Sequence, residues 1–281
     1  MSQCEELASR QVVDRDMSDL PATTCRKLRG VDATRTSFAR ASFANVWLEE
    51  STFASCDFGR SDLRGLSDHG NRFDRCTFRH TQFGHAALGY QGSRYVDCTF
   101  ERARFGGTVF ARAVFVRCDF VDCGIAGIDF GASRFTDCRF VGELNEVFFR
   151  GRFASPQMTD RFGAPEGRPV LKVDFTGATL HDVTFSGGLD LNDVQLPARP
   201  GYFLFDDWPG RLQMVETALA ASDREAIDTF VNAFASRDSQ MHQIISRDDL
   251  DAWFGSPVAE RLLSALGPPT KSSGPAASGF A

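Results

Sequence analysis

The chain has 281 residues and a formal charge of −6, and it uses 27 Phe against 3 Tyr and 3 Trp. That length buries a substantial core as one long domain or two ordinary ones, and so lopsided an aromatic choice points to one packing position used many times. The start, MSQCEELASR, has no basic stretch leading into an apolar run, and nothing approaches ~18 consecutive apolar residues, so neither secretion nor membrane spanning is indicated; a cytoplasmic protein is expected, its 8 Cys kept as thiols.

Residues 1–30 read as a lead-in or cap. Beyond them a large apolar residue falls at every fifth position: Phe38, Phe43, Leu48, Phe53, Phe58 and Leu63, then Phe73, Phe78, Phe83 and Leu88, then Tyr95 onward to Phe140. The stretch FVRCDFVDCGIAGIDFGASRFTDCRF, Phe115 to Phe140, keeps the phase throughout. Five is the period of neither a helix (3.6) nor a half-buried strand (2). Two residues before each centre stands a small side chain, such as Ala41, Ser51, Cys56, Ser61, Cys76, Ala86, Cys98 or Ala113, which gives a unit small–x–large–x–x.

A four-sided coil built from such units stacks positions twenty apart, and those positions share chemistry. Cys56, Cys76, Cys98, Cys118 and Cys138 precede Phe58, Phe78, Phe100, Phe120 and Phe140, with one longer step absorbed by two extra residues in GYQGSR, between Leu88 and Tyr95. The thiols are expected inside as small apolar fillers, because a ladder spreads them along an axis while a metal needs ligands that converge. Asp68 stands where Leu or Phe is expected, so that side is expected to bulge and turn the carboxylate outward. After Phe140 the phase is lost until Phe175, Leu180 and Phe185, and it slips once more before Leu191 and Leu196. Residues 154–170, rich in Gly, Pro and Arg, read as a loop leaving the solenoid.

From about Trp208 the pattern is helical. Pro209 suits a first helical position, SDRE (222–225) and SRDD (246–249) read as capping boxes, Gly255 as a stop, and Ser256–Pro257 as the opening of a helix closed by Gly267. Residues 207–267 are therefore expected as a small helical domain, larger than one capping helix requires and suited to self-association, and 268–281 as a disordered tail.

No catalytic constellation, phosphate-binding loop, metal set or cofactor motif stands out. The five His (69, 80, 85, 181, 242) are scattered and expected at the solvated surface. Residues 31–153 carry 16 basic and 15 acidic side chains, and the excess of acid lies C-terminal to them, so no broad basic patch is offered to nucleic acid. On one side the outward residues Thr52, Arg72, Arg94, Val114 and Arg134 run beside Asp74, Asp97 and Asp137 as a solvated ion-pair lattice. Trp47 should point outward, followed by Glu49 and Glu50 at a corner, and is a contact candidate.

On the repeat over roughly residues 25–196 the sequence resembles the pentapeptide-repeat family. The resemblance implies a mainly β protein: a right-handed quadrilateral β-helix of four pentapeptides per coil, here over 31–196, followed by the small α-helical C-terminal segment. It also implies function. The quinolone-resistance and toxin-immunity members of that family are non-enzymatic, mimic a DNA duplex and protect DNA gyrase, a type II topoisomerase, from inhibitors. By that resemblance this chain is expected to engage gyrase, with contacts in the loops at 89–94 and 154–170 (Tyr90, Gln91, Arg94, Arg161, Phe162) and at Trp47, Glu49 and Glu50, and to pair as a homodimer through its C-terminal helices. Those members show an acidic face, which the balanced charge here lacks, so the alternative stays open: a scaffold or regulatory interaction module with no topoisomerase partner.

Overall fold

In the computed structural model the backbone explains the period. Each unit is a short strand or an isolated bridge with its central residue turned inward, and two residues later the chain enters the left-handed region. Arg35 (φ 47°), Arg40 (59°), Asn45 (59°), Glu50 (48°), Ser55 (54°) and Arg60 (58°) follow the centres Ala33, Phe38, Phe43, Leu48, Phe53 and Phe58. A left-handed residue costs an L side chain on the order of 1–2 kcal/mol, so the corner recurs only because stacking over-determines it. Four corners close a coil. The structure describes residues 11–21, 26–165, 167, 169, 171–218, 224–235 and 240–274.

The coils stack as parallel strands in register. On the first wall Asp32–Thr34, Thr52–Ala54, Arg72–Asp74, Arg94–Val96 and Val114–Val116 pair in succession, and Gln11–Val13 pairs with the first of them. On the fourth wall Lys27–Arg29, Trp47–Glu49 and Ser67–His69 follow one another. The solenoid therefore already includes residues 11–13 and 27–29, within the segment read as a lead-in. Cys4 and Cys25 lie outside the described residues.

Inside, side chains pile in columns. Phe78, Phe100, Phe120 and Phe140 stack with ring centroids 4.8, 4.7 and 4.6 Å apart and planes within 6°. Rings of neighbouring columns meet edge to face, as Phe115 and Phe120 do at 5.3 Å and 74°. Such pairs contribute about 0.5–1.5 kcal/mol beyond burial. Cys56, Cys76, Cys98, Cys118 and Cys138 are buried and free, as the spacing predicts. Their thiols donate to carbonyls one coil back: Cys76 to Phe53 (3.3 Å), Cys98 to Phe73 (3.4 Å), Cys118 to Tyr95 (3.3 Å). Burial pushes the neighbouring Cys123 thiol up to about 12. These are inert packing groups.

Two expectations are corrected. After Phe140 the coil does not lapse: it drops one residue, so Leu144 and Phe149 take the next two inward positions within Arg134–Asn145 and Phe148–Arg150. The chain leaves only after Phe149, forms helix α1 (Pro156–Phe162), and returns in Leu171–His181, which pairs with Arg134–Asn145. Asp68 does not turn outward. It is fully buried (0% exposed) at an inward position of the fourth wall, for reasons given below.

The C-terminal unit holds helices α2 (Trp208–Ala218), α3 (Arg224–Ala235), α4 (Arg247–Phe254) and α5 (Ser256–Leu266). Ser246 caps α4 by accepting from the Asp249 N–H (3.2 Å), as the SRDD box predicts; Ser222, the expected cap of the other box, lies outside the described residues. The sequence reading misses a three-stranded antiparallel sheet, with Tyr202–Phe205 between Gln243–Ser246 and Lys271–Ser272. The last of these strands falls in the segment expected to be a disordered tail. QIIS is buried throughout and so shows no alternation to read. The unit seals the last coil. The Gln240 side chain pairs with both backbone groups of Leu189 (3.1 and 3.0 Å), and the Tyr202 hydroxyl accepts from Leu180 N–H (3.0 Å). These bonds satisfy strand-edge groups that would otherwise be orphaned.

Candidate protein-binding surface

The outer side of the fourth wall carries a continuous aromatic row. Trp47 is 42% exposed, and its ring lies flat on the His69 imidazole from the next coil, with centroids 3.9 Å apart and planes at 10°. His69 meets Tyr90 edge to face at 5.1 Å, and Tyr90 stacks on Phe162 of α1 at 4.7 Å. Phe162 in turn touches Phe153 at 5.7 Å. The segment carrying α1 is thus a strap laid back across the wall. It is fastened at its far end by the Arg112 guanidinium, which donates to the Phe162 carbonyl.

The row exists because of Asp68, immediately before His69. One Asp68 oxygen accepts from Asn71 Nδ2 (2.6 Å) and Ser93 Oγ (2.7 Å), the other from the Tyr95 hydroxyl (2.8 Å) and the Gly89 N–H (3.1 Å). Four donors match the capacity of a carboxylate. Burial nonetheless holds its carboxyl above the ordinary range, with the four hydrogen bonds pulling the other way. Gly89, which opens the two-residue insertion, sits at φ +89°, and a Cβ there would stand 2.4 Å from Ala113 N. The insertion therefore brings Gly89 N–H to the carboxylate and carries Tyr90 outward to His69. This also explains why a Tyr replaces Phe at position 95.

The residues proposed from sequence fall into two groups that His69 joins. Around Trp47, Glu49 pairs with Lys27 (2.6 Å) and Glu50 with Arg29 (2.7 Å), while Lys27 Nζ lies 5.7 Å from the Trp47 ring centroid. The hydrogen bond to Lys27 holds Glu49 below its ordinary pKa. Around the strap, Tyr90 packs on Phe162 and the Arg161 guanidinium lies 5.0 Å from the Phe162 ring. Gln91 and Arg94 line a groove of about 320 Å³ with Arg112, Arg134 and Pro165. His69 was expected at the solvated surface and is instead buried (8% exposed), with desolvation lowering its pKa. Its position next to the one acidic centre was the available signal. The chain is built as a four-sided β-solenoid of five-residue units.

Several charged side chains of the pentapeptide-repeat coils pair between coils: Arg35 with Asp14 (2.6 Å), Arg117 with Asp97 (2.6 Å), Arg139 with Asp119 (2.9 Å), Arg150 with Asp129 (2.7 Å), Lys172 with Asp137 (2.8 Å). Arg72 pairs instead with Asp74 on its own strand (2.6 Å). Among the described residues no group of three or more His, Cys, Asp or Glu could hold a metal ion, and no helix is long and apolar enough to cross a membrane. A cleft opens where the solenoid meets the C-terminal unit.

No family model matches the sequence, and no curated protein matches it. Among solved structures, a trypsin-treated form of QnrB1, a plasmid-mediated fluoroquinolone resistance protein, aligns over 75% of this chain and 97% of its own at 13% identity, with a TM-score of 0.28. Full-length QnrB1 aligns over 63% and 91% at 12% identity and 0.25. HetL, a pentapeptide repeat protein involved in heterocyst differentiation regulation from the cyanobacterium Nostoc, aligns over 67% and 85% at 12% identity and 0.32. The pentapeptide-repeat architecture is established by the stacked coils themselves and not by these superpositions.

Proposed function

We propose that the chain is a non-enzymatic protein-binding scaffold whose contact surface is the aromatic row Trp47–His69–Tyr90–Phe162, rimmed by Glu49, Glu50, Gln91, Arg94 and Arg161. The observation that carries this reading is the half-exposed Trp47 ring, held flat on His69 and lifted among side chains whose charges are already neutralised by neighbours. A rigid, pre-oriented aromatic surface binds at low entropic cost, and Trp and Tyr are the residues most often found to dominate interfaces. The test is affinity capture with cross-linking, comparing the wild type with Trp47→Ala and Phe162→Ala. Partners held by the wild type should be lost from both variants; a partner retained equally by all three removes the row from the interface.

The narrower reading, engagement of DNA gyrase by duplex mimicry and protection from an inhibitor, needs a continuous negative face. The inter-coil pairing of carboxylates with Arg and Lys weighs against that mimicry, because paired charges present little field at a distance. Gyrase supercoiling with and without a fluoroquinolone, in the presence of the purified protein, decides it: inhibition or protection at micromolar protein supports a topoisomerase partner, and no effect removes it. Self-association through the C-terminal helices is tested by light scattering. A mass of 31.0 kDa at every concentration would exclude the homodimer.

A further inference from the structure

His69 stands in the middle of the aromatic row, and it is the member of that row whose charge a proton changes near neutrality. Its imidazole fills a slot. The Trp47 indole covers one face at 3.9 Å and 10°, and the Tyr90 ring meets it edge to face at 5.1 Å. Nε2 is buried, with no hydrogen-bond partner among the described residues. Charged groups face the ring from every element packed against it. Glu49 pairs in register with His69, Lys27 pairs in register with Trp47, and a salt bridge of 2.6 Å joins the two. Asp68 precedes His69 with its carboxylate turned inward to four donors, and beyond Tyr90 the strap brings Arg161 over the Phe162 ring.

The slot suits a neutral ring. An imidazolium donates from both nitrogens, so here it would bury an N–H without an acceptor and lose its hydration. It would also set a second cation against an indole that already has Lys27 Nζ 5.7 Å from its centroid. Cation–π attraction to Trp47 and the charges of Glu49 and Asp68 act the other way, but Lys27 holds Glu49 and four donors occupy Asp68. Desolvation is the largest influence, and it lowers the His69 pKa. Nε2 has essentially no accessible surface in the slot, so the charged ring finds water at both nitrogens only by tipping out. We propose that His69 is a proton-operated latch on the row: neutral, it joins Trp47 to Tyr90; protonated, it leaves the slot and divides the surface in two. The latch regulates the contact surface proposed above and rests on that reading for what it controls, while the movement itself needs no partner.

The test is acrylamide quenching of tryptophan emission between about pH 8 and pH 4, with the difference between the wild type and Trp47→Phe taken as the Trp47 signal. Accessibility of Trp47 should rise about twofold or more, with a midpoint below the ordinary imidazole value of about 6.5, while far-UV circular dichroism stays constant. His69→Phe keeps a ring in the slot and removes the titration, so the rise should vanish. Lys27→Ala, at a solvated side chain, withdraws a repelling cation and should move the midpoint up by roughly half a pH unit; should His69→Phe not fold, this shift carries the test. A flat Trp47 signal, a rise that persists in folded His69→Phe, a rise that coincides with loss of circular dichroism, or a midpoint unmoved by Lys27→Ala would overturn the latch. So would an imidazolium that stays stacked, seen as dimmer emission at unchanged acrylamide accessibility. Because no partner is used, failure here leaves the scaffold reading standing, and failure of affinity capture leaves the latch standing.

Discussion

The solenoid and the C-terminal unit solve the same problem, hiding apolar surface, by opposite means. In the solenoid each column repeats one contact, so Phe120 meets Phe100 below and Phe140 above in almost the same geometry, and a column residue depends only on the coils next to it. In the C-terminal unit Trp208, Phe230 and Phe234 form a conventional core around a short sheet, where each side chain has a different set of neighbours. The repeat gains regularity and loses individuality. Individual chemistry therefore appears only where the repeat is broken, at Asp68 with its insertion, or where the two regions meet.

Substitutions break that contrast in graded steps. Phe120→Ala should cost about 3–5 kcal/mol, as truncation of a fully buried ring does, and hydrogen exchange should rise in the coils on both sides of it. Phe230→Ala should cost a similar amount and expose the C-terminal unit while coils far from it stay protected. Asp68→Ala leaves four donors in an apolar core and should cost about 3 kcal/mol or more; pairing Asp68→Leu with Tyr95→Phe should recover part of the loss, measured by urea unfolding. Gly89→Ala should cost about 2 kcal/mol, through its positive φ and the contact with Ala113. Phe162→Ala removes a ring stack of about 1 kcal/mol and should release the strap to limited proteolysis without lowering the main unfolding transition. Arg117→Ala, on a solvated pair, should leave Tm within measurement scatter.

Acidity sharpens the same comparison. With its folded pKa raised by burial, Asp68 binds its proton more tightly in the folded state than in the unfolded chain. Its contribution to stability is therefore greatest at low pH and falls as pH rises through the ordinary carboxylate value toward the folded one. A stability-against-pH profile of Asp68→Asn should lack that decline. An unchanged profile would mean that the folded and unfolded values coincide.

Most of the solenoid was legible because period, small partner and thiol ladder are all one-dimensional signals. The lapse after Phe140 was misread because one deleted residue shifts the phase without ending it, and Leu144 and Val147 then look unrelated to the columns they continue. The aromatic row was half legible. Trp47 could be placed outward by register, and both loops were marked, but their meeting through Tyr90 and Phe162 depends on where the strap lands. Asp68, Asn71 and Tyr95 carried a readable message, three departures from the repeat within one coil and a half, yet each was visible only as a local exception. The sheet of the C-terminal unit was hidden, since strands of two to four residues paired across roughly forty to seventy positions leave no periodic trace.

The left-handed corner every five residues gives the molecule an unusual relation between chain length and orientation. Duplicating twenty residues would lift everything downstream by about 4.8 Å and leave it facing the same way, whereas duplicating five would swing the C-terminal cleft a quarter turn around the axis relative to Trp47. Small gains and losses of sequence thus act as a vernier, setting the bearing of the C-terminal unit against the aromatic row without altering either.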